Sequence, residues 1–409
     1  MGAEGGTAQR VAAFFLAAAL FVLPFTSSVA LRNGFMALAA ACLLWAASRG
    51  GLARPRLPPL RVLAPMLAWG AFCVASLAWS NDPAYTRAEL RPELLYPFAA
   101  FLLFHAATPD ARALDRWAWV ASAGLAALVV AAVAQMALEG AWDPKRWHGD
   151  VGSFATHTVL ALPLLAWAFL RAPGASLPLR AGLAATAALT LLVTTWNDNR
   201  IAWIAFAGMA ALAALLCAPA LPRAARARLA GATLLAIAAF GALFALSLES
   251  RTEKLQGTER EAEARLERDP RLAIWRFSAD RVAEAPWIGH GFGRGILRHE
   301  IRAGTVPGVD NPLYGHAHNT VVNVALQGGF AGLALFAWLV AAVVRELAAG
   351  LREAPPRRHV AVLGLVLVAG FALRNMTDDF VVRHNAVLAW ALAGALLGAL
   401  RPTSARTPG

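Results

Sequence analysis

Apolar runs long enough to cross a bilayer recur along almost the whole chain, and no other feature limits the fold as much. A helix of about 20 apolar residues covers the roughly 30 Å of hydrocarbon in a membrane. Inside lipid, every backbone N–H and C=O must find its partner within the protein, so such a run reads as a helix. Hydrophobic residues make up 58% of the sequence and charged residues 15%, a balance that points away from a soluble globular chain. The expected fold class is an all-α polytopic membrane protein with about twelve transmembrane helices. They fall at 11–27, 33–48, 62–79, 92–107, 116–138, 154–171, 180–196, 201–219, 229–248, 319–344, 359–374 and 384–400. The first run ends near Ser28-Val29-Ala30, which also resembles a signal-peptide cleavage site. The next span follows almost at once, and that favours a retained helix.

The net charge of +12 is carried mostly by arginine, and its placement matters more than its size. Arg49, Arg54, Arg56 and Arg61 fall in one loop, Arg223, Arg226 and Arg228 in a second, and Arg345, Arg352, Arg357 and Arg358 in a third. Cytoplasmic loops gather such charge, so these three loops and both termini are expected inside. Short juxtamembrane clusters of this kind face anionic membrane lipid and do not call for nucleic acid. The segment between Glu249 and Ala317 is then one large external, periplasmic loop containing short helices. The expected division is a transmembrane bundle at 1–248, a periplasmic subdomain at 249–318, C-terminal helices at 319–401 and a disordered tail at 402–409. Cys42, Cys73 and Cys217 all lie within expected spans, so neither a disulfide framework nor a redox motif is indicated.

The chemistry gathers at one edge. His316-Ala317-His318-Asn319 stands immediately before an apolar run, where a helix enters the bilayer. At about 100° per residue, position i+11 returns nearly to the face of i, which puts Gly329 about three turns below His318, with Gly332 close to the same face. Glycines there are expected to let another helix approach, and His318 is aimed into the bundle. His316, two residues off that face, reads as exposed on the preceding loop. His316 and His318 with Asp310 could ligate zinc, but two histidines at i and i+2 lack a third ligand at an established spacing, so no metal is expected. Asp378-Asp379 reads as a solvated pair or one matched to Arg374 and Arg383, which flank it.

Within the external loop, Asp269 and Pro270 can open a helix that Pro286 ends. Arg271, Trp275, Ser278 and Val282 share one face of it. Arg276 sits four residues before Asp280 on another, which supplies a local ion pair. Arg271 has no such partner in its own helix and is the better anion-binding candidate. Gly289-His290-Gly291-Phe292-Gly293-Arg294-Gly295 lacks the flanking strand, helix and Lys-Ser/Thr pair of a nucleotide loop. It reads as a tight turn whose backbone N–H groups could cradle a phosphate. Trp196-Asn197-Asp198-Asn199-Arg200 joins two apolar runs with almost no loop, leaving Arg200 near the external ends of two helices. It either snorkels to headgroups or faces the bundle and binds an anion. Two fixed guanidiniums suit a pyrophosphate, because each can hold two phosphate oxygens at once. A histidine can take a proton from an alcohol near neutral pH.

The spacing of His318, Asn319, nine residues and then Gly329-x-x-Gly332 resembles the signature of the bacterial O-antigen ligase family. Arg271-Leu272-Ala273-Ile274-Trp275 and Pro286-Trp287-Ile288-Gly289-His290-Gly291-Phe292-Gly293 look like the rest of the block shared by ligases and polysaccharide polymerases of that superfamily. Arg91 to Leu95 matches a short Arg-x-x-x-Leu element of the ligases. Asn199-Arg200-Ile201-Ala202-Trp203 matches the start of a span whose arginine belongs to the family's site.

The resemblance implies a GT-C-like glycosyltransferase without cofactor, ATP or metal. Its donor would be a polysaccharide on undecaprenyl pyrophosphate, and its acceptor a sugar hydroxyl of lipid A-core. His318 would be the base, with Arg200, Arg271, Arg91 and Asn319 on the donor and Arg276 and His316 secondary. O-antigen polymerases and ligases that glycosylate pilin share this block and differ in acceptor. A transporter for lipid-linked sugars is the alternative of another class, but it would place its charges nearer the midplane and show repeated halves.

Overall fold

The computed structural model describes residues 2–48, 57–171, 176–197, 199–254, 270–302, 306 and 315–401. Among these it is helical with no strand. In chain order the helices are α1 (Gly2–Val22), α2 (Val29–Ser48), α3 (Leu60–Ala75), α4 (Pro83–Glu89), α5 (Tyr96–Ala107), α6 (Ala111–Glu139), α7 (Pro144–Trp147), α8 (Val151–Leu170), α9 (Leu177–Trp196) and α10 (Ile201–Cys217). There follow α11 (Arg223–Lys254), α12 (Pro270–Glu284), α13 (Arg298–Arg302), α14 (Thr320–Gly350), α15 (Arg357–Arg374) and α16 (Arg383–Ala399).

Each expected span coincides with a helix, but only eight of the described helices are long and apolar enough to cross a membrane. The first apolar helix, Thr7–Val22, is shorter. The segments at 92–107, 359–374 and 384–400 become α5, α15 and α16, of 12, 18 and 17 residues. Their surroundings explain the shortfall. α16 is buried along most of its length and packs chiefly against α5, so protein surrounds it and a long apolar surface is not required. α11 is the opposite case, with none of its most apolar window buried, as expected for a helix facing lipid.

The core runs through the middle of the bundle, where Trp117, Phe101, Leu16, Met66, Leu114 and Leu164 are all fully buried. Side-chain oxygens cap several helix starts: Asp82 accepts from Tyr85 N–H, Asp110 from Ala113 N–H, Asp150 from Ser153 N–H and Asn319 from Val322 N–H.

α14 departs from the sequence reading. It is not one continuous helix, because Gly329 adopts φ 59° and ψ −158° and breaks it. A Cβ at Gly329 would stand 2.5 Å from the carbonyl carbon of Trp287, and one at Gly289 would stand 2.5 Å from the carbonyl of Gln327. The turn after α12 is thus wedged into the break. It bonds there like an extra piece of backbone, with His290 N–H to Leu326 O at 2.9 Å, Gly291 N–H to Gln327 O at 3.0 Å and Phe330 N–H to Pro286 O at 2.7 Å. The close approach expected at Gly329 is therefore made by a loop and not by a helix. Gly332 does face a helix, with a would-be Cβ 3.0 Å from Phe72 of α3.

Candidate active site

The wedged turn and the start of α14 bring together residues far apart in the chain. Asn319 caps α14 through its amide oxygen and donates from its amide nitrogen to Met376 O at 2.8 Å. This ties the histidine loop to the α15–α16 connection. Each end of that amide makes a bond within the protein, so Asn319 positions the loop. Beside it, Thr320 and Asn323 donate to Asp379 at 2.9 and 2.7 Å. Asp379 is 3% exposed, so the Asp378-Asp379 pair is built into the fold. The solvated reading is incorrect.

Asp378 is the hub. His318 Nδ1 lies 3.2 Å from its Oδ1, His316 Nε2 lies 2.9 Å from the same atom, and its own neighbour Asp379 donates a backbone N–H to it. Burial opposes ionisation of Asp378, but hydrogen bonding, from His318 above all, outweighs it and holds the carboxyl well below the usual range. A carboxylate that accepts from His318 Nδ1–H leaves the ring's basic lone pair on Nε2. His318 has φ 49°, a left-handed conformation that a residue with a side chain adopts at a cost of about 1–3 kcal/mol. That strain turns its ring toward Asp378 before the helix begins.

His316 is largely covered too, with 11% of its side chain exposed, which overturns its reading as a solvent-facing loop residue. Arg294 Nη2 lies 2.6 Å from His316 Nε2 and 3.4 Å from Asp378 Oδ1, so the guanidinium bridges ring and carboxylate. Burial and then the adjacent Arg294 charge push the His316 imidazole down to about 3, leaving it neutral and able to accept from Arg294. His316, His318 and Asp378 present three ligand atoms within 4.8 Å of one another. Arg294 stands where a cation would need the His316 lone pair, so these residues fit an anion-facing network better than a metal. Asp310 lies outside the described residues, as do Asp269 and the tail at 402–409.

The arginines separate. α12 lays its Arg271, Trp275 and Ser278 face inward: Trp275 Nε1–H donates to Ala317 O at 2.8 Å, next to His318, and Ser278 is fully buried. Arg271 lies one turn earlier, within electrostatic reach of the buried Arg374. Arg276 is exposed, as is Asp280, and their expected ion pair is not formed. The reason is geometric: α12 packs through Ile274 and Ser278, and 276 and 280 point to open surface, where neither long side chain is held. Arg200 precedes α10. Gly208 and Met209 of that helix meet Leu373 and Gly370 of α15, so Arg200 is at the same end of the bundle as Arg374 and Asp378. Arg91 is exposed, and the nearby cavity is lined by its neighbours Glu89, Pro92, Glu93 and Tyr96 but not by it.

The glycine-rich turn does not hold out free N–H groups. Those of Phe292, Gly293, Arg294 and Gly295 donate to Ser76 Oγ, Gln327 Oε1, Glu93 Oε2 and Tyr85 Oη at 2.9–3.0 Å. The phosphate-cradle expectation therefore fails, because every one of these donors is used to hold the turn. The turn supplies Arg294 instead, a residue passed over because it seemed part of a structural loop. Asp378 was discounted for a similar reason. Sequence pattern alone has no means of placing either one against a histidine 22 or 60 residues away.

A cavity of about 870 Å³ opens beside His316, walled by α2, α4, α5, the start of α8, the glycine-rich turn and the start of α16. Comparison with known proteins fits this arrangement. Residues 185–337 match the family model described as O-antigen ligase. The chain is similar to a Rickettsia conorii protein named "Putative polysaccharide ligase", at 32% identity over 83 residues. It is also similar to one of the same name from Rickettsia prowazekii, at 34% over 83 residues. Each of these matches takes in 19% of this chain and 20% of the relative, so the chain spans about a fifth of the length of the curated relatives it matches. The stretch matched to the O-antigen ligase family model, residues 185–337, takes in Arg200, Arg271, the glycine-rich turn and His318, so the likeness falls on the residues of this site.

Proposed function

We propose that the chain is an O-antigen ligase of the bacterial inner membrane. It transfers polysaccharide from undecaprenyl pyrophosphate to a sugar hydroxyl of lipid A-core at the periplasmic face, with both termini cytoplasmic. The observation that carries the reading is His318, strained and bonded through Nδ1 to an ionised Asp378 at the end of the bundle where Arg271 and Arg200 lie. His318 Nε2 takes the proton of the acceptor hydroxyl. The hydroxyl oxygen attacks the anomeric carbon, the bond to the pyrophosphate oxygen breaks, and the electron pair leaves on the pyrophosphate. Arg271 and Arg200 neutralise that leaving charge, so the step calls for neither metal nor ATP. Direct displacement inverts the anomeric configuration. Asp378 fixes the tautomer of His318, Arg294 holds His316 and Asp378 in place, and Asn319 and Asp379 anchor the two loops to each other.

The test is turnover by purified full-length protein in detergent, supplied with lipid-linked polysaccharide and lipid A-core, with EDTA present. Formation of the glycan–lipid A-core product with inverted linkage is expected. Elongation of the donor glycan instead would identify a polymerase, and transfer to pilin a protein ligase. Absence of any transfer alongside movement of the donor across a vesicle membrane would identify a transporter. Loss of transfer in EDTA, restored by magnesium or manganese, would overturn the metal-free step.

A further inference from the structure

The cavity beside His316 has a second wall that the transfer step does not use. Arg32, on α2, is 5% exposed, and its described hydrogen bond is Nε–H to the adjacent Asn33 Oδ1 at 3.1 Å. Burying a guanidinium without an acid is costly unless an anion comes to it. Arg383 opens α16 from a left-handed backbone, φ 51°, and lines the same cavity. Both charges lie within electrostatic reach of His384, and among the described residues no carboxylate is within ion-pair distance of either. Asp150, also in the cavity wall, has its Oδ1 engaged at 2.6 Å in capping α8.

Two acceptors of the wall are also unmet. Glu89 Oε2 and Asn385 Oδ1 are buried and have no hydrogen-bond partner, and both residues line the cavity. A ligand that satisfies the whole wall must bring an anion for the arginines and hydroxyl donors for the acceptors. About 870 Å³ is room for an oligosaccharide segment, since ligand sites run to about 300–1,000 Å³.

We infer that this cavity is a subsite for a negatively charged sugar, with Arg32 and Arg383 holding its phosphate or carboxylate and Glu89 and Asn385 accepting from its hydroxyls. The inference rests on the proposed ligase reading for its place in the reaction, but its binding chemistry stands apart from catalysis. The charged sugar could belong to a phosphorylated acceptor or to an acidic unit of the donor glycan.

The first experiment needs no turnover. Saturation-transfer NMR on the full-length protein in nanodiscs would compare glucose 6-phosphate and glucuronate with glucose, for wild type and for Arg32→Gln, Arg383→Gln and Arg32→Lys. Wild type should bind at least one charged sugar about tenfold more tightly than glucose. Each glutamine variant should bring that ratio toward one, and Arg32→Lys should keep most of it, which also shows that position 32 tolerates change without loss of the fold. Equal binding of glucose by wild type, or a ratio that survives both glutamine variants, would overturn the subsite whether or not the protein is a ligase.

The second experiment finds the source of the charge. Transfer would be measured with phosphorylated and dephosphorylated lipid A-core on one neutral donor, and with neutral and uronate-containing donors on one acceptor. A selectivity in KM for one charged partner, lost in Arg32→Gln, assigns the subsite to acceptor or donor. If transfer proceeds and no charged partner is preferred in either arm, the subsite is wrong while the ligase reading stands. If no transfer occurs but charged-sugar binding persists, the ligase reading fails and the subsite stands.

Discussion

The two ends of the bundle treat arginine in opposite ways. At the end away from His318, Arg61 pairs with Glu346 at 2.5 Å with 65% of its side chain exposed, and Arg357, which opens α15, pairs at 3.2 Å with Glu353 in the loop before it. Each pair has one partner more than half exposed, and pairs open to solvent in this way are worth about 0–1 kcal/mol and are screened by salt. At the His318 end, Arg374 is 1% exposed, and Arg294, His316, His318 and Asp378 share protons across loops with no more than 23% of any side chain exposed. Burying so many charges costs several kcal/mol per unpaired ion, so every partner must be present. The first end leaves much of its charge open to the surroundings. The second keeps a charged network largely buried, and electrostatics acts more strongly on a reacting group as water is excluded.

The sharpest way to break this contrast is His318→Ala, which should lower transfer by about 10²- to 10⁴-fold, the usual contribution of a positioned base. Donor binding should persist, and near wild-type turnover would remove His318 from the mechanism. His316→Ala should also impair the protein, because His316 is buried against Arg294, but through stability and not the chemical step.

Lysine substitution comes next, since lysine keeps the charge and loses the forked N–H pair. Arg271→Lys and Arg200→Lys should each cost roughly 2–5 kcal/mol of transition-state stabilisation. Arg276→Lys should be nearly silent, because that side chain is exposed and unpaired with Asp280. Turnover normalised to folded protein in membranes checks all three. A crippled Arg276→Lys beside a healthy Arg271→Lys would reverse the assignment of the two faces of α12.

Asp378→Asn removes the charge and the preference for Nδ1–H on His318. About 1.5–3 kcal/mol, roughly ten- to a hundredfold in turnover, is expected for losing a charged hydrogen bond. KM for donor should stay near its original value, and a rise in KM without a fall in kcat would place Asp378 in binding instead.

Acid should weaken the buried end selectively. In the folded protein burial pushes His148 down to about 4, while burial and Arg294 push His316 down to about 3. Unfolded histidine titrates near 6.5, so below that pH the unfolded chain takes up protons that the folded chain refuses. Stability should therefore be flat above pH 7 and fall between about pH 6.5 and 4, by up to about 1.4 kcal/mol per pH unit for each ring. Thermal unfolding at pH 7.5, 6 and 5 measures it, and His316→Gln should shallow the slope. The smallest effect belongs to the other end, where Arg61→Gln should change stability by no more than about 1 kcal/mol. A larger loss there would erase the distinction between the ends.

Much of this was readable from residue order, for a physical reason. A membrane helix announces itself through about 20 consecutive residues, so the positions of the spans, the placement of His318 ahead of α14 and the inward face of Arg271, Trp275 and Ser278 all follow from local periodicity. The block from Arg271 to Gly332 was recognisable for the same reason, being nearly continuous in the chain. Local pattern misled where a neighbour in sequence was not a neighbour in space. Arg276 and Asp280 have the right spacing and no contact, while the N–H groups of the glycine-rich turn looked free because their partners Ser76, Glu93 and Tyr85 lie some 200 residues earlier.

What the sequence determined by itself is therefore the membrane-spanning helical class and the strip of residues on which the proposed site is built. Only the tertiary structure decided that α14 breaks at Gly329 to admit the turn after α12, and that Asp378 and Arg294 converge on the two histidines. It alone encloses a cavity between α2, α5 and α16. Those outcomes depend on which helices lie side by side, and in a bundle of many similar apolar helices the pairing is settled by packing of small residues and loop hydrogen bonds, which residue order does not display.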